Sequence, residues 1–558
     1  MITQPSESTS NDIESKLVKV LDLISQETKS PQKDFSFYWS KKSSAIAASI
    51  YKVFASDNDV VMDPFIGSGS SLYGLKSIPN KMKFIGVDLN QLPIELVHFN
   101  MSTLTKVLIE NVTLKINDFI KTNSEVYLYH LDQGGEEYCF KKAHLDREGL
   151  DYKPKLFVFT KGKEKVTLTP DDGEKFQLAK VQYLDKLHKS VELNEQLPDL
   201  DLGANSRIAI KEGMKLSNIF SPITFNLLLK YRQMAIQDPA LAIVLSTCLH
   251  LCRLTDIRSQ SQFPFWVPKF SAVDRNIFDL LKKKTDQLVK MLDSQIINSS
   301  KSNVPKRVNT FKELRESIDS CYLLFHTPIQ KLNVEQVPDS SVDLVFTDPP
   351  YFDQVAYSEY LVIWEFFTGM VSDLENEIIQ SNREKYARDR KSYLKLMSEG
   401  FAVISRKLKE NHFALIYFKD SKLSNISDFL QLMEDVNLHY IRQIHLAKPK
   451  FTYKQNTSQE STVEGDSLYV FKKLTNFQKR PLKNISKTNL DQTIVTLVDA
   501  YLEVHGPATA SKILDDFIIP RLWDSKILHM LTTENTYQEL INANYLVDKE
   551  SRKLIDRK

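Results

Sequence analysis

Asp59-Val-Val-Met-Asp-Pro-Phe-Ile-Gly-Ser-Gly69, running into Ser70-Ser-Leu-Tyr-Gly-Leu-Lys76, reads as a β-branched strand, a glycine turn and a helix. Strand, tight turn and helix make a nucleotide-type cofactor site. Gly67 and Gly69 let the backbone approach a ligand closely, and the helix N-terminus behind them supplies N–H groups without intrahelical partners. About twenty residues on, Lys83-Phe-Ile-Gly-Val-Asp88-Leu-Asn90 reads as a second strand ending in an acid placed for ribose hydroxyls. The glycine spacing is not the GxGxxG of dinucleotide enzymes. Strands alternating with helices along this part and again after residue 340 predict an α/β sandwich.

A second stretch far downstream carries chemistry. Ser341-Val-Asp-Leu-Val-Phe-Thr347 reads as a strand that ends on Asp348, Pro349, Pro350 and Tyr351. An exocyclic amine is a poor nucleophile because its lone pair is delocalised into the base, so its N–H hydrogens must be accepted by a carboxylate and a carbonyl. Asp348 and the Pro349 carbonyl suit that task. Two prolines remove backbone donors and stiffen φ, and Tyr351 offers a face on which an extruded base stacks. Alone, a Gly-Ser-Gly turn is usually a loop and an Asp-Pro-Pro-Tyr is often a turn with an aromatic plug. Their joint occurrence at the ends of apolar strands, with Asp88 between them, carries the reading.

Asp63-Pro64-Phe65 before the glycine turn, taken with the distant Asp-Pro-Pro-Tyr, resembles the amino-methyltransferases that modify adenine N6 or cytosine N4 in DNA. The resemblance spans residues 34–93 and 321–475. It implies a Rossmann-like methyltransferase sandwich, S-adenosyl-L-methionine as cofactor, and contacts to it from Asp63, Pro64, Phe65, Gly67, Ser68, Gly69, Asp88 and Asn90. It also implies catalytic roles for Asp348, Pro349, Pro350 and Tyr351. Phe35-Ser-Phe-Tyr-Trp-Ser-Lys-Lys-Ser43 looks like the lead-in of a prokaryotic site-specific subgroup, where this stretch closes over the methionine end of the cofactor. Phe37, Tyr38, Trp39 and Ser40 are therefore expected at the cofactor. The pattern departs from the family after Cys321-Tyr-Leu-Leu-Phe325, where His326-Thr327-Pro328 replaces an acid that contacts the cofactor's adenine; Thr327 or a backbone group is left for that role. Relatives often carry a zinc ribbon after the second strand, but residues 127–139 hold one cysteine, Cys139, and a tetrahedral thiolate site cannot be built from it. No metal constellation is expected.

Composition agrees with a soluble, cytoplasmic enzyme. Hydrophobic residues make up 42 % of the 558, no apolar run is long enough for a bilayer, and no charged-then-apolar leader opens the chain. Four cysteines argue against a disulfide scaffold. Lys plus Arg number 73 against 71 for Asp plus Glu, so affinity for double-stranded DNA must come from local patches. Arg383, Lys385, Arg388, Arg390 and Lys391 form one candidate, and Lys448, Lys450, Phe451, Tyr453 and Lys454 another; a solvated surface is the competing reading for each. The rings of Gln260-Ser-Gln-Phe-Pro-Phe-Trp-Val-Pro268 are read as a core anchor.

The expected organisation is an α/β fold in pieces. Residues 1–115 hold the cofactor motifs, 116–203 a β-rich insertion, 204–300 a helical insertion and 301–475 the catalytic motif, with a winged-helix-like module at 485–558. Adenine N6 is the favoured target, because cytosine N4 members more often carry serine in place of Asp348. The alternatives are cytosine N4, an RNA amine, or a non-catalytic DNA-binding subunit. A restriction or defence-system subunit is an open further partner.

Overall fold

The structure is a computed structural model describing residues 7–26, 42–102, 105–127, 130–133, 136–148, 151–194, 198–203, 210–256, 271–298, 304–352, 357–381, 387–446, 465–477, 481–548 and 551–557. Strands β1 (Val60–Asp63) and β2 (Lys83–Asp88) are buried at every position, as parallel strands covered on both faces are. With β3 (Lys306–Arg307), β4 (Cys321–His326), β5 (Val342–Thr347), β6 (Leu408–Tyr417), β7 (Leu438–Leu446) and β8 (Asp466–Lys473) they form one sheet in the order β7-β8-β6-β5-β1-β2-β4-β3. Every neighbouring pair is parallel except those of β8, which runs antiparallel to both β6 and β7. The Rossmann-like α/β sandwich expected from the sequence is present. The chain builds outward in one direction from β1 and in the other from β5, so the crevice where ligands bind such sheets opens at the C-terminal ends of these two strands.

Alternate residues of β1 enter opposite cores. Val60 and Met62 pack with helices Arg390–Lys407 and Leu423–Asp435, whereas Val61 packs with helices Glu7–Gln26 and Ser44–Phe54. Helix Glu7–Gln26 brings Ile13, Leu17 and Val20 into the same core as Val61.

Between β2 and β3 a second unit is inserted. The strand Glu136–Glu148 pairs with Asp151–Lys161 on one side and with Ser271–Arg275 on the other, joining the β-rich and helical stretches in one sheet. Two long helices, Lys106–Tyr127 and Glu174–Asn194, stand in the region read as strands. Their buried residues Ile109, Val112, Ile116 and Phe119, and Phe176, Ala179 and Tyr183, recur at helical spacing, a period that the hairpin turns nearby masked. The core of this unit also takes in Leu92, Leu96 and Phe99 of helix Gln91–Met101 and Leu361, Ile363, Trp364 and Phe367 of helix Tyr357–Thr368. Those helices begin just after Asp88 and just beyond the Asp-Pro-Pro-Tyr turn.

The C-terminal unit runs helix Lys487–His505, strand Ala508–Thr509, a helical run from Ala510 to Asp524, helix Glu534–Asn544, and strands Tyr545–Val547 and Lys553–Arg557. At Tyr545 the chain turns to strand, and Lys553–Arg557 pairs with both Tyr545–Val547 and Ala508–Thr509 in a three-stranded sheet.

Candidate active site

Asp63 ends β1 and joins the two motifs. Its Oδ1 accepts from the Phe65 amide at 3.1 Å and from the Thr347 hydroxyl at 2.6 Å, and its Oδ2 from the Ser71 hydroxyl at 2.5 Å. Thr347 is the last residue of β5, so this one carboxylate ties the glycine turn to the strand that delivers Asp348. Burial pushes Asp63 up to about 6 against those three donors, and Asp348 adds to the rise.

Asp88 closes the other side of the turn. It accepts from the Gly67 amide and the Asn90 amide, each at 2.9 Å, and burial pushes it up to about 6 despite these bonds. The Asn90 side-chain oxygen is buried without a partner. Gly67 and Gly69 have φ of 47° and 81°, the left-handed region that glycine adopts at least cost. A Cβ on Gly69 would lie 2.6 Å from Val97, so no other residue fits this turn unchanged.

Two adjoining clefts open over these groups. One of about 630 Å³ is lined by Pro64, Phe65, Gly67, Asp88, Asn90 and Asp348, and its far wall is Pro328, Ile329 and Gln330. The other, of about 500 Å³, is bounded by Lys42, Asp63, Ser68, Thr347, Asp348 and Tyr417. Asp348 borders both. Thr327 donates its amide to the Asp88 carbonyl at 3.0 Å and is not among the lining residues; the three residues after it form the wall. Phe37, Tyr38, Trp39 and Ser40 lie outside the described residues, as do Arg383, Lys385, residues 448–454 and the ring cluster 260–268.

Asp348 is 26 % exposed, and burial pushes it up to about 6, opposed by Lys42 and by the Tyr351 hydroxyl bonded to its Oδ1. The Tyr351 ring stands edge-on to Phe418 at 5.3 Å. Pro349 is buried, and the Pro350 carbonyl accepts from the Tyr393 hydroxyl at 2.9 Å. Phe352 follows with φ 34°, a costly conformation for a bulky residue. Its ring packs on Tyr393 at 4.5 Å, under the Arg390 guanidinium at 5.0 Å. Arg390 also pairs with Asp428, and Arg388 donates to the carbonyls of Leu374, Glu375 and Glu377. Of these two arginines, both read as candidates for phosphate, Arg390 packs on the residue after the Asp-Pro-Pro-Tyr turn and Arg388 holds the 374–377 segment.

Three groups at the site escaped the sequence reading. Lys42 lies 3.1 Å from Asp466 and 3.5 Å from Asp348, with its ammonium 4.8 Å above the Tyr417 ring. The Tyr417 hydroxyl is buried without a partner beside the second cleft. Asp466 opens β8, more than a hundred residues from Asp348 in sequence, and nothing local marks it.

Residues 342–525 match the model of a protein family described as DNA methylase, of N6/N4 type. No curated protein matches the chain. Among solved structures, a candidate DNA modification methylase from Thermus thermophilus, in complex with S-adenosyl-L-methionine, is 13 % identical, with 30 % of this chain and 60 % of that one covered and a TM-score of 0.16. A candidate class I S-adenosylmethionine-dependent methyltransferase from Listeria monocytogenes is 15 % identical over 39 % of this chain and 60 % of its own, with a TM-score of 0.17. The chain thus spans about 60 % of the length of these structures.

Proposed function

We propose that this chain, whose residues 342–525 match the N6/N4 DNA methylase family, transfers a methyl group from S-adenosylmethionine to an exocyclic amine of DNA, with adenine N6 as the target. The observation that carries it is the Asp63–Thr347 bond, which sets the Asp-Pro-Pro-Tyr turn and the glycine turn against the same pair of clefts.

The residues present fit the cofactor. Asp88 and the partnerless Asn90 oxygen face the larger cleft as acceptors for ribose hydroxyls, and the glycine turn leaves no Cβ in the way. Pro328, Ile329 and Gln330 line the same cleft and would contact the cofactor's adenine ring. When bound, the cofactor supplies a methyl group made electrophilic by its positive sulfur. Asp348 accepts an N–H of the extruded base and orients the nitrogen lone pair toward that methyl group. Nitrogen turns positive as the C–N bond forms, and only then does its proton become acidic. A carboxylate with an affinity near neutrality is matched to receive it. Tyr351 provides the stacking face once its hydroxyl leaves Asp348.

Incubation with isotopically labelled S-adenosylmethionine and unmethylated DNA, followed by mass spectrometry of the nucleosides, tests the proposal. Label in N6-methyladenine is expected. Label in N4-methylcytosine moves the target, and label only in RNA overturns the DNA assignment. Asp348→Ala should lower the rate by about 10²–10⁴-fold with cofactor affinity retained.

A further inference from the structure

Asp348 does not stand alone in its cleft. Two carboxylates, Asp348 and Asp466, face one ammonium, that of Lys42, which is 21 % exposed and rests on the Tyr417 ring. We infer that Lys42, anchored by Asp466, is a positioning residue that keeps Asp348 charged and aimed at the target amine; this rests on the methyltransferase reading above.

The geometry separates anchoring from tuning. Lys42 makes its hydrogen bond to Asp466 Oδ2 at 3.1 Å and meets Asp348 Oδ2 at 3.5 Å, the outer limit of a hydrogen bond. A carboxylate oxygen has two lone-pair directions, so Asp348 Oδ2 can accept an amine N–H without the ammonium leaving. Asp466 holds the cation, and the cation acts on Asp348 through space. Burial works against the charge on Lys42, and the two carboxylates outweigh it, so the ammonium stays above the usual lysine value.

Among the described residues, the groups facing Asp348 come from five segments. Tyr351 bonds it from its own turn, Lys42 approaches from the lead-in to helix Ser44–Phe54, Asp466 from the start of β8, Tyr417 from the end of β6 and Asp63 from the end of β1. Lys42 is the sole cation in this set. Burial and Asp466 raise the proton affinity of Asp348, and Lys42 lowers it. Removing Lys42 therefore moves the protonation of Asp348 to higher pH, and the neutral acid gives the developing positive nitrogen far less stabilisation.

The test is the pH profile of single-turnover methyl transfer for the wild type, Lys42→Met, Lys42→Arg and Asp466→Asn. In Lys42→Met the acid limb should move up by about one to three pH units, the effect of an opposite charge at this distance, with the rate approaching the wild-type value at high pH. Lys42→Arg should restore the wild-type limb. A Lys42→Met limb that stays where the wild type has it overturns the inference, whatever its absolute rate. If the wild type transfers to neither DNA nor RNA, the parent reading has failed instead. A double-mutant cycle on thermal unfolding with Lys42→Met and Asp348→Asn reads the pair without activity. Coupling present at pH 8 and gone at pH 5 supports the charge pairing, and additivity at both values overturns it.

Discussion

Asp88 shows how much one side chain can be asked to do. Burial raises its proton affinity while the Gly67 and Asn90 amides hold its charged form, leaving it at about 6. A ribose hydroxyl donates to the carboxylate and not to the neutral acid's O–H, so cofactor affinity should be full above pH 6 and fall below it. Each pH unit below that point lowers the charged fraction about tenfold. Calorimetry with S-adenosylhomocysteine from pH 5 to 8 should show affinity declining toward the acid end, and a flat profile would remove Asp88 from the cofactor's contacts. In Asp88→Asn the decline should be shallower and the affinity lower throughout. Asp63, Gly67, Asp88 and Asp348 were legible from sequence because each sits in a short run that fixes its backbone setting. Lys42, Tyr417 and Asp466 were not, because their shared role comes from three segments that meet only in the folded sheet.

Helix Tyr357–Thr368, which follows the Asp-Pro-Pro-Tyr turn in sequence, packs into the core of the inserted unit. Trp364 is 2 % exposed in that unit's core, its indole donates to the Ser246 carbonyl at 2.8 Å, and Arg232 donates to the Phe366 carbonyl at 2.7 Å. A shift of the inserted unit would therefore carry this helix with it. Trp364→Phe keeps most of the packing and removes one buried hydrogen bond, at a cost of about 0.5–1.5 kcal/mol, since the Ser246 carbonyl keeps its partner within helix Pro239–Cys252. Thermal unfolding should register that loss, methyl transfer should slow, and cofactor affinity should stay within about twofold, because neither Trp364 nor Ser246 lines either cleft. Cofactor affinity falling in step with the rate would sink the linkage. At this scale the sequence was readable for strands with continuous apolar runs, such as β1 and β5. It misled at Lys106–Tyr127 and Glu174–Asn194, where a helix buries one narrow stripe and leaves Leu114, Leu178 and Val181 exposed, blurring the period.

Across the molecule, the C-terminal unit is not an appendage of the sheet. Ile513, Leu514, Ile518, Trp523 and Tyr537 share one apolar core with Phe418, Phe429, Tyr440 and Tyr469. A charge cluster lies in the same seam. Lys419, just past the end of β6, sits 3.4 Å from Asp515 and 3.6 Å from Glu534, and Asp515 is 2.8 Å from His445 of β7. Asp515 is fully buried, yet Lys419 and His445 outweigh burial and hold it below the usual carboxylate value. A buried carboxylate that loses its cation is left uncompensated, at about 3–5 kcal/mol. Lys419→Met should therefore lower the unfolding temperature, and the loss should appear on both sides of the seam. Hydrogen exchange would then rise together in β8 and in residues 510–518, since a shared core opens as one unit. Faster exchange confined to residues 510–518 would mean that the C-terminal unit opens independently. A common rise would mean that catalysis and the C-terminal unit stand on a single packed core, with Asp466 and Lys42 at the end of the strand that borders it.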